Sequence, residues 1–394
     1  MTTRKPAQRP GDGDEPGVRA RRLAGQVLTR VAQDGAYSNL ALRHALDSAA
    51  KEPSPLESAD ARLVTDLVYG TLRRQRSCDS LINRFTMSDP PPAARSFLRL
   101  GAYQIAFRAD IPAYAAVSST VSAAPKRFRG LCNAVLRKVV GSPIEFHDEG
   151  DRLSYPDWII ERLRDDLGDV RAVGALEAMN DPAAQVTRDD GYSQDPASQM
   201  VVDLVGARPG DLVADLCASP GGKATGLANS GALVIASDIS ESRVHLLAGN
   251  ARRFGEGRVL VSRSDAGFPG LRAGSFDHVA IDAPCSGLGV LRRRPDARWT
   301  LDSASPQRLS ELQVSLIKAG VELLKPGGQL TYSVCTLTAR ESLGVDQVIE
   351  AELPELEPLE QPGDPWEPFG RGSILLPQAL GTDGMCLFRY RYSR

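Results

Sequence analysis

Apolar positions between residues 17 and 140 recur at helical spacing. From Val18 onward, Leu23, Val27, Leu28 and Val31 fall on one face at i, i+4, i+5 and i+8. Further amphipathic runs follow at 39–49, 59–74, 78–85, 93–108, 115–124 and 131–140. Pro53, Pro55, Pro90, Pro91, Pro92, Pro112 and Pro125 fall between these runs, where a residue lacking its N–H does least harm. No strand-like alternation interrupts them, so the pattern predicts an all-α domain. A linker carrying Gly141, Pro143 and Gly150 leads to a short helical piece over 156–179, and Pro182 and Gly191 mark loops. Beyond Gln194 the texture changes. Strand-like runs at 212–216, 232–237, 258–262, 278–281 and 329–334 alternate with helical ones from 222 and at 241–254, 306–324 and 340–350. That alternation predicts an α/β domain with a doubly wound, mostly parallel sheet and ligands at the strand C-termini. A late pair, 373–376 and 385–392, reads as a closing antiparallel hairpin.

The 394 residues suffice for two or three domains, and 42% hydrophobic with 24% charged residues excludes a globally disordered chain. No stretch approaches the roughly 18 consecutive apolar residues of a membrane span. Residues 1–17 are rich in Pro, Gly and charge without the apolar core of a signal peptide, and read as a floppy tail on a cytosolic protein. The six cysteines form no C-x-x-C pair and the four histidines are scattered, so no protein-built metal centre is expected. A formal net charge of −2 hides an uneven distribution. Between Tyr69 and Lys138, 12 Lys+Arg face 3 Asp+Glu, an excess of +9; between Gly344 and Pro365 seven acids stand with no Lys or Arg. A basic half beside a neutral or acidic half points to a polyanion held by one region and chemistry done in the other.

The strongest local signal is Asp215-Leu216-Cys217-Ala218-Ser219-Pro220-Gly221-Gly222-Lys223. A hydrophobic strand runs into a small-residue turn that opens a helix, which lets the backbone approach a ligand and aims helix N–H groups at it. The G-x-G-x-x-G and G-x-x-x-x-G-K-[ST] fingerprints are absent, which disfavours a pyrophosphate ligand. Asp238 ends the next strand, at a position suited to ribose hydroxyls; Asp265 follows the third strand and Asp282 the fourth. With Asp215, four acids past strand ends are expected to line one crevice. Cys285, in Asp282-Ala283-Pro284-Cys285-Ser286-Gly287, and Cys335, in Tyr332-Ser333-Val334-Cys335-Thr336, each follow a strand and are expected to reach that crevice. Cys217, Cys78, Cys132 and Cys386 read as packing residues.

These segments, in this order, resemble the S-adenosylmethionine-dependent RNA (cytosine-5) methyltransferases. The resemblance covers Gln194 to about Gly344, including Gln194-Asp195-Pro196-Ala197-Ser198 and Leu291-Arg292-Arg293-Arg294-Pro295-Asp296, and extends to Gly381-Thr382-Asp383-Gly384-Met385. Separately, Leu100-Gly101-Ala102-Tyr103-Gln104 and Asn133-Ala134-Val135-Leu136-Arg137 resemble the NusB-like RNA-binding fold. The pairing is similar to the bacterial 16S rRNA cytosine-5 methyltransferases of the Fmu/Sun type. It implies a tail over 1–17, a NusB-like RNA-binding domain over 18–140, a linker and shortened helical subdomain over 141–193, and a Rossmann-like methyltransferase domain over 194–394.

The resemblance further implies that Cys335 adds to C6 of cytosine, turning C5 into a nucleophile. Asp282 would hold the N3/N4 edge, and Cys285 would assist elimination of Cys335 from the product. DNA cytosine methylases use the Pro-Cys cysteine as nucleophile instead. S-adenosylmethionine binding carries over onto Cys217, Ala218, Ser219, Pro220, Gly221, Gly222 and Lys223, with Asp238 on the ribose, Asp265 near the adenine, and Asp282. Arg292–Arg294 are candidate phosphate contacts. The expected partner is small-subunit rRNA, with a single-stranded or flipped cytidine, held by backbone attraction to the helical domain; the protein is expected to act as a monomer without metal or membrane. Alternatives are a non-catalytic RNA-binding or assembly factor that keeps the fold, or a different RNA such as tRNA. Exocyclic-amine methylation is a weaker rival, lacking the Asn/Asp-Pro-Pro-aromatic motif, and a nicotinamide oxidoreductase weaker still.

Overall fold

The computed structural model describes residues 17–394, so the expected tail lies, Gly17 apart, outside the described residues. The chain runs α1 (Val18–Asp34), α2 (Ser38–Ala50), α3 (Ser58–Arg73), α4 (Gln75–Asn83), α5 (Pro92–Phe107), α6 (Ala113–Ala123), α7 (Arg129–Val140), α8 (Glu149–Leu153), α9 (Asp157–Leu167), α10 (Asp169–Ala178) and α11 (Pro196–Val205). Alternation follows: β1 (Leu212–Asp215), α12 (Gly222–Asn229), β2 (Leu233–Asp238), α13 (Glu241–Phe254), β3 (Val259–Arg263), β4 (Phe276–Asp282), α14 (Ala297–Thr300), α15 (Ser305–Val321), β5 (Leu324–Val334) and α16 (Leu343–Glu352). The chain closes with β6 (Leu356–Pro358), β7 (Glu367–Phe369), β8 (Gly372–Leu375), α17 (Pro377–Leu380) and β9 (Met385–Tyr392). Two compact units result: one holds residues 17–157 together with Arg293–Thr300, the other holds Trp158–Arg292 and Leu301–Arg394. No helix among the described residues is long and apolar enough to cross a membrane.

The first unit is helical, as the spacing predicts. Its core is built from the apolar stripes of α1, α3, α4, α5 and α7, with Leu67, Ile82, Leu98, Leu100 and Leu136 buried. Gln104, the last residue of the Leu100–Gln104 motif, is buried and fully engaged. It accepts from Arg21 Nε (2.7 Å) and donates through Nε2 to Leu100 O (2.9 Å) and Thr120 Oγ1 (3.0 Å). The helical unit continues past Val140 because Arg76 on α4 binds the α8 region, through Asp151 (2.9 Å), Asp157 (2.6 Å) and Asp148 (3.2 Å). Arg95 and Arg99 likewise share Asp79, and Arg108 meets Asp66 and Asp110. Much of the +9 excess read from the sequence is therefore matched by nearby carboxylates, several from outside the 69–138 window.

The second unit carries one nine-stranded sheet of order β3-β2-β1-β4-β5-β9-β8-β7, with β6 paired to β9. β1 to β5 are parallel, and β9, β8, β7 and β6 are antiparallel, so the sheet is mixed and its closing hairpin is β8–β9. The strands run outward from β1 in two directions, through β2 to β3 and through β4 to β5. In such sheets a crevice opens where the order reverses, at the C-terminal ends of β1 and β4. The register Asp282↔Ser333 sets the ends of β4 and β5 side by side.

Candidate active site

The glycine motif folds as the connection from β1 to α12. Gly221 has φ +106°, and a Cβ there would lie 2.9 Å from Leu247 Cδ1, so backbone and space both call for glycine. The turn is braced on every side. Arg243 Nη2 donates to Ser219 O (3.1 Å), Ser219 Oγ donates to Arg243 O (3.0 Å), and Asn250 Nδ2 donates to Pro220 O (2.8 Å). Ala218 N–H donates to Ser237 O (2.9 Å). Arg188 Nη1 donates to Gly222 O (2.7 Å) and Nη2 to Thr225 Oγ1 (2.9 Å). Arg188 carries no motif signal; it lies in the short passage before Gln194, which closes through a Thr187↔Ser193 bridge. Burial and the Asp215 carboxylate push the Cys217 thiol upward, so it stays protonated within the turn.

The strand-end acids do not play equal parts. Asp215 is buried rather than open to a crevice; burial and the Asp282 carboxylate push it up to about 7, with Lys223 opposing. Asp238 is buried at the end of β2, accepting from Ser240 N–H (3.0 Å) with Arg243 Nε 3.3 Å away. Asp265 is exposed after β3 and accepts from Gly267 N–H (2.9 Å). Beside them Ile239 is 60% and Phe268 86% exposed, two apolar side chains open to solvent in the loops that follow β2 and β3. Only their exposure marks them.

Asp282 is gripped at both oxygens. Lys223 Nζ lies 2.6 Å from Oδ2, and Ser333 Oγ donates to Oδ1 (3.0 Å). Burial works to lower the Lys223 ammonium, but the Asp282 carboxylate outweighs it and holds the lysine charged. Cys285 and Cys335 come together with their sulfurs 3.2 Å apart. The hydrogen bond to Cys335 and burial hold the Cys285 thiol well above its ordinary range. Among the acidic and thiol side chains singled out in the sequence, Asp282, Cys285 and Cys335 thus meet at the ends of β4 and β5, beside the lysine of the glycine turn.

Arg292 is not a phosphate contact. It is buried, and its guanidinium donates to Thr382 O (3.0 Å), Pro182 O (3.1 Å) and Gly381 O. This ties the Gly381–Met385 segment to the loop after α10. Asp195 does the same for the other flanking motif, its Oδ1 accepting from Ala197 N–H (2.9 Å) and Asp383 N–H (3.2 Å).

Parallel strands β1 to β5 with a braced small-residue turn after β1, an acid ending β2 and exposed apolar side chains beside it fit an adenosyl ligand. Together with the family match below, it defines an S-adenosylmethionine-dependent methyltransferase. Residues 202–389 match the family described as 16S rRNA methyltransferase RsmB/F, and residues 18–141 match the NusB family. The chain is 35% identical to the ribosomal RNA small subunit methyltransferase B of Thermus thermophilus, over 94% of this chain and 97% of that protein. It is 31% identical to a putative methyltransferase of Mycobacterium tuberculosis, over 97% of each. Among solved structures, PH0851 superposes over 98% of this chain and all of its own with a TM-score of 0.76 at 22% identity. A methyltransferase homologue from Pyrococcus horikoshii covers 61% of this chain and 96% of its own, with a TM-score of 0.53 at 24% identity; both bear on the fold. The chain belongs to the RsmB/F family of RNA methyltransferases, with an N-terminal NusB-type domain.

Proposed function

We propose that this protein methylates C5 of a cytidine in 16S small-subunit rRNA through a transient bond between Cys335 Sγ and C6 of the base. The observation that carries the reading is the pair of sulfurs 3.2 Å apart beside the Lys223–Asp282 ion pair. S-adenosylmethionine, when bound by the 217–223 turn, Asp238 and the Ile239 and Phe268 side chains, supplies an electrophilic methyl group. C5 of cytosine is too weak a nucleophile to take it unaided. Addition of the Cys335 thiolate at C6 pushes an electron pair through the ring toward N3 and leaves C5 enamine-like. Asp282 faces the N3/N4 edge, and the Lys223 ammonium offsets the charge that builds at N3. Once C5 carries its methyl group, a water molecule takes the C5 proton, the C5–H electron pair re-forms the C5–C6 double bond, and the S–C6 bond breaks with its pair returning to Cys335 Sγ. Cys285, held protonated, donates to the departing Cys335 sulfur.

Reaching the base requires a single-stranded or flipped cytidine, and the protein is read as acting as a cytoplasmic monomer. In the helical unit, a cleft of about 670 Å³ is lined by Arg22, Arg30, Lys126 and Arg129 around Phe97 and Pro125. We assign the RNA backbone to it, with affinity that falls as salt rises.

The test is transfer of labelled methyl to unmodified small-subunit rRNA by wild type, Cys335→Ala and Cys285→Ala. We expect label in 5-methylcytidine from wild type and at least a ~10³-fold loss in Cys335→Ala. Cys285→Ala is expected to accumulate a protein–RNA adduct that survives denaturation. Full transfer by Cys335→Ala removes it as nucleophile; no transfer by wild type despite cofactor binding favours a non-catalytic or tRNA role.

A further inference from the structure

Glu341 lies outside every motif that carries the chemistry, yet it is fully buried behind both cysteines. Its carboxylate accepts from five neutral donors on three parts of the fold. Oε1 takes the Ser286 N–H (2.7 Å) and Gln313 Nε2 (3.2 Å); Oε2 takes Ser286 Oγ (2.5 Å), Thr338 Oγ1 (2.9 Å) and Thr336 Oγ1 (3.2 Å). Ser286 follows Cys285 and Thr336 follows Cys335, and the two hydroxyls also meet each other at 2.9 Å. Gln313, on α15, is oriented in turn: its Nε2 donates to Pro284 O (2.9 Å) and its Oε1 accepts from Tyr332 OH (3.0 Å). One acceptor-only group therefore ties the residue after each thiol to the same point.

Burying a carboxylate among neutral partners is costly, and the cost is offset only when its lone pairs are filled by well-placed donors. An apolar side chain would join the same elements without that cost. What the carboxylate adds is a fixed distance between two loops that come from different strands. We propose that Glu341 is a positioning residue for the reaction, holding the Cys285 and Cys335 loops at the spacing that lets one thiol serve the other. The inference rests on the roles given to the two cysteines under the proposed function, and it is tested by a measurement that does not depend on methylation.

That measurement is closure of the Cys285–Cys335 pair by diamide in the full-length protein. Each thiol gives up its hydrogen, the S–S bond forms, and the two electrons and two protons reduce the N=N bond of the oxidant. We expect Glu341→Ala to slow closure by ~10-fold or more and to lower kcat by ~100-fold. RNA KM and cofactor affinity should stay within ~2-fold of wild type, while the melting temperature falls because the buried donors lose their acceptor. Glu341→Gln should recover most of both rates, because its oxygen can accept the two fixed N–H donors while its NH₂ faces hydroxyls able to turn and accept. A folded Glu341→Ala protein that closes and turns over at wild-type rates overturns the proposal. Equal loss in Ala and Gln with unchanged closure also overturns it. Should the Ala variant fail to fold, Ser286→Ala, which removes one of the donors, must slow closure and turnover together; unchanged rates sink the idea. If wild type makes no 5-methylcytidine, the proposed chemistry fails, and the closure rates still decide whether Glu341 sets the spacing.

Discussion

Asp215 shows how one buried side chain writes a pH dependence into the second unit. It ends β1 out of contact with solvent, in the field of Asp282, and its carboxyl is pushed up to about 7 against an ordinary value of 3.8. Between those values the unfolded chain has released the proton while the folded chain still holds it. The folded state thus binds more protons, and stability falls as pH rises from about 4 to about 7, then levels off. The ionised carboxylate costs the folded protein on the order of 4 kcal/mol at pH 8 by this linkage. Asp215→Asn keeps the shape and removes the titration. In thermal melts of the cofactor-free protein, the variant should gain several degrees on wild type between pH 5 and pH 8. A difference in melting temperature that is the same at both pH values would show that Asp215 does not titrate in this window.

The element that presents Cys335 is a loop held by backbone. Cys335 O accepts from Gly289 N–H (3.0 Å), and Gly289 O accepts from Gly384 N–H (2.9 Å), so three distant segments meet at one glycine. A Cβ on Gly289 would lie 2.2 Å from Gly384 O and 3.0 Å from Cys335 O, and both atoms are backbone. Gly289→Ala should therefore push the Cys335 loop aside. We expect a destabilisation of about 2–3 kcal/mol and the loss of most methyl transfer, with cofactor affinity nearly unchanged because the 217–223 turn is untouched; retained turnover would show that the loop has slack. The same loop marks where the sequence is hard to read. Buried parallel strands write continuous apolar runs, so β1, β2, β4 and β5 and the turn that follows β1 are legible; the edge strand β3 is legible by its Val259-Leu260-Val261 run although none of its residues is buried, and α13 matches its expected span. The stretch 340–342 reads as helix, yet α16 starts only at Leu343, because side chains there bond the backbone locally, with Ser342 Oγ donating to Thr338 O (2.6 Å). Glu341 is illegible for a different reason: two of the partners that give it its role, Gln313 and Ser286, sit 28 and 55 residues away. Arg292 reads as a phosphate contact because charge is visible in a sequence and the carbonyls at 182, 381 and 382 are not. β6 and β7, three residues each, are too short to leave a period.

At the scale of the whole molecule, the chain does not divide cleanly in sequence. Arg293–Thr300 follows the Cys285 loop by only a few residues, yet it belongs to the helical unit. Its attachment is built from buried polar contacts. Asp296 caps α2, accepting from Ser38 Oγ (2.7 Å) and Ser38 N–H (3.1 Å), where the helix N-terminus favours a negative charge. Arg298 is fully buried, its guanidinium 3.9 Å from the Tyr155 ring centroid and donating to Arg73 O (2.8 Å) and Ser154 O (3.3 Å). Burial lowers its pKa to about 10, with the Tyr155 hydroxyl opposing, so it remains charged at neutral pH. Trp299 Nε1 adds a bond to Leu72 O (3.0 Å). A helical fragment ending at residue 157 would leave the α2 cap open and these carbonyls without their donors. Hydrogen bonds to a charged group are worth about 1.5–3 kcal/mol each, so the fragment should be destabilised by several kcal/mol relative to the same unit in the full chain. Joining residues 293–300 to the fragment through a long Gly/Ser linker should restore most of that loss by effective concentration alone. The same fusion carrying Arg298→Ala should recover little of it. Circular-dichroism melts of the three proteins check this. A bare fragment that melts like the fusion would mean that the eight residues rest on the helical unit without stabilising it.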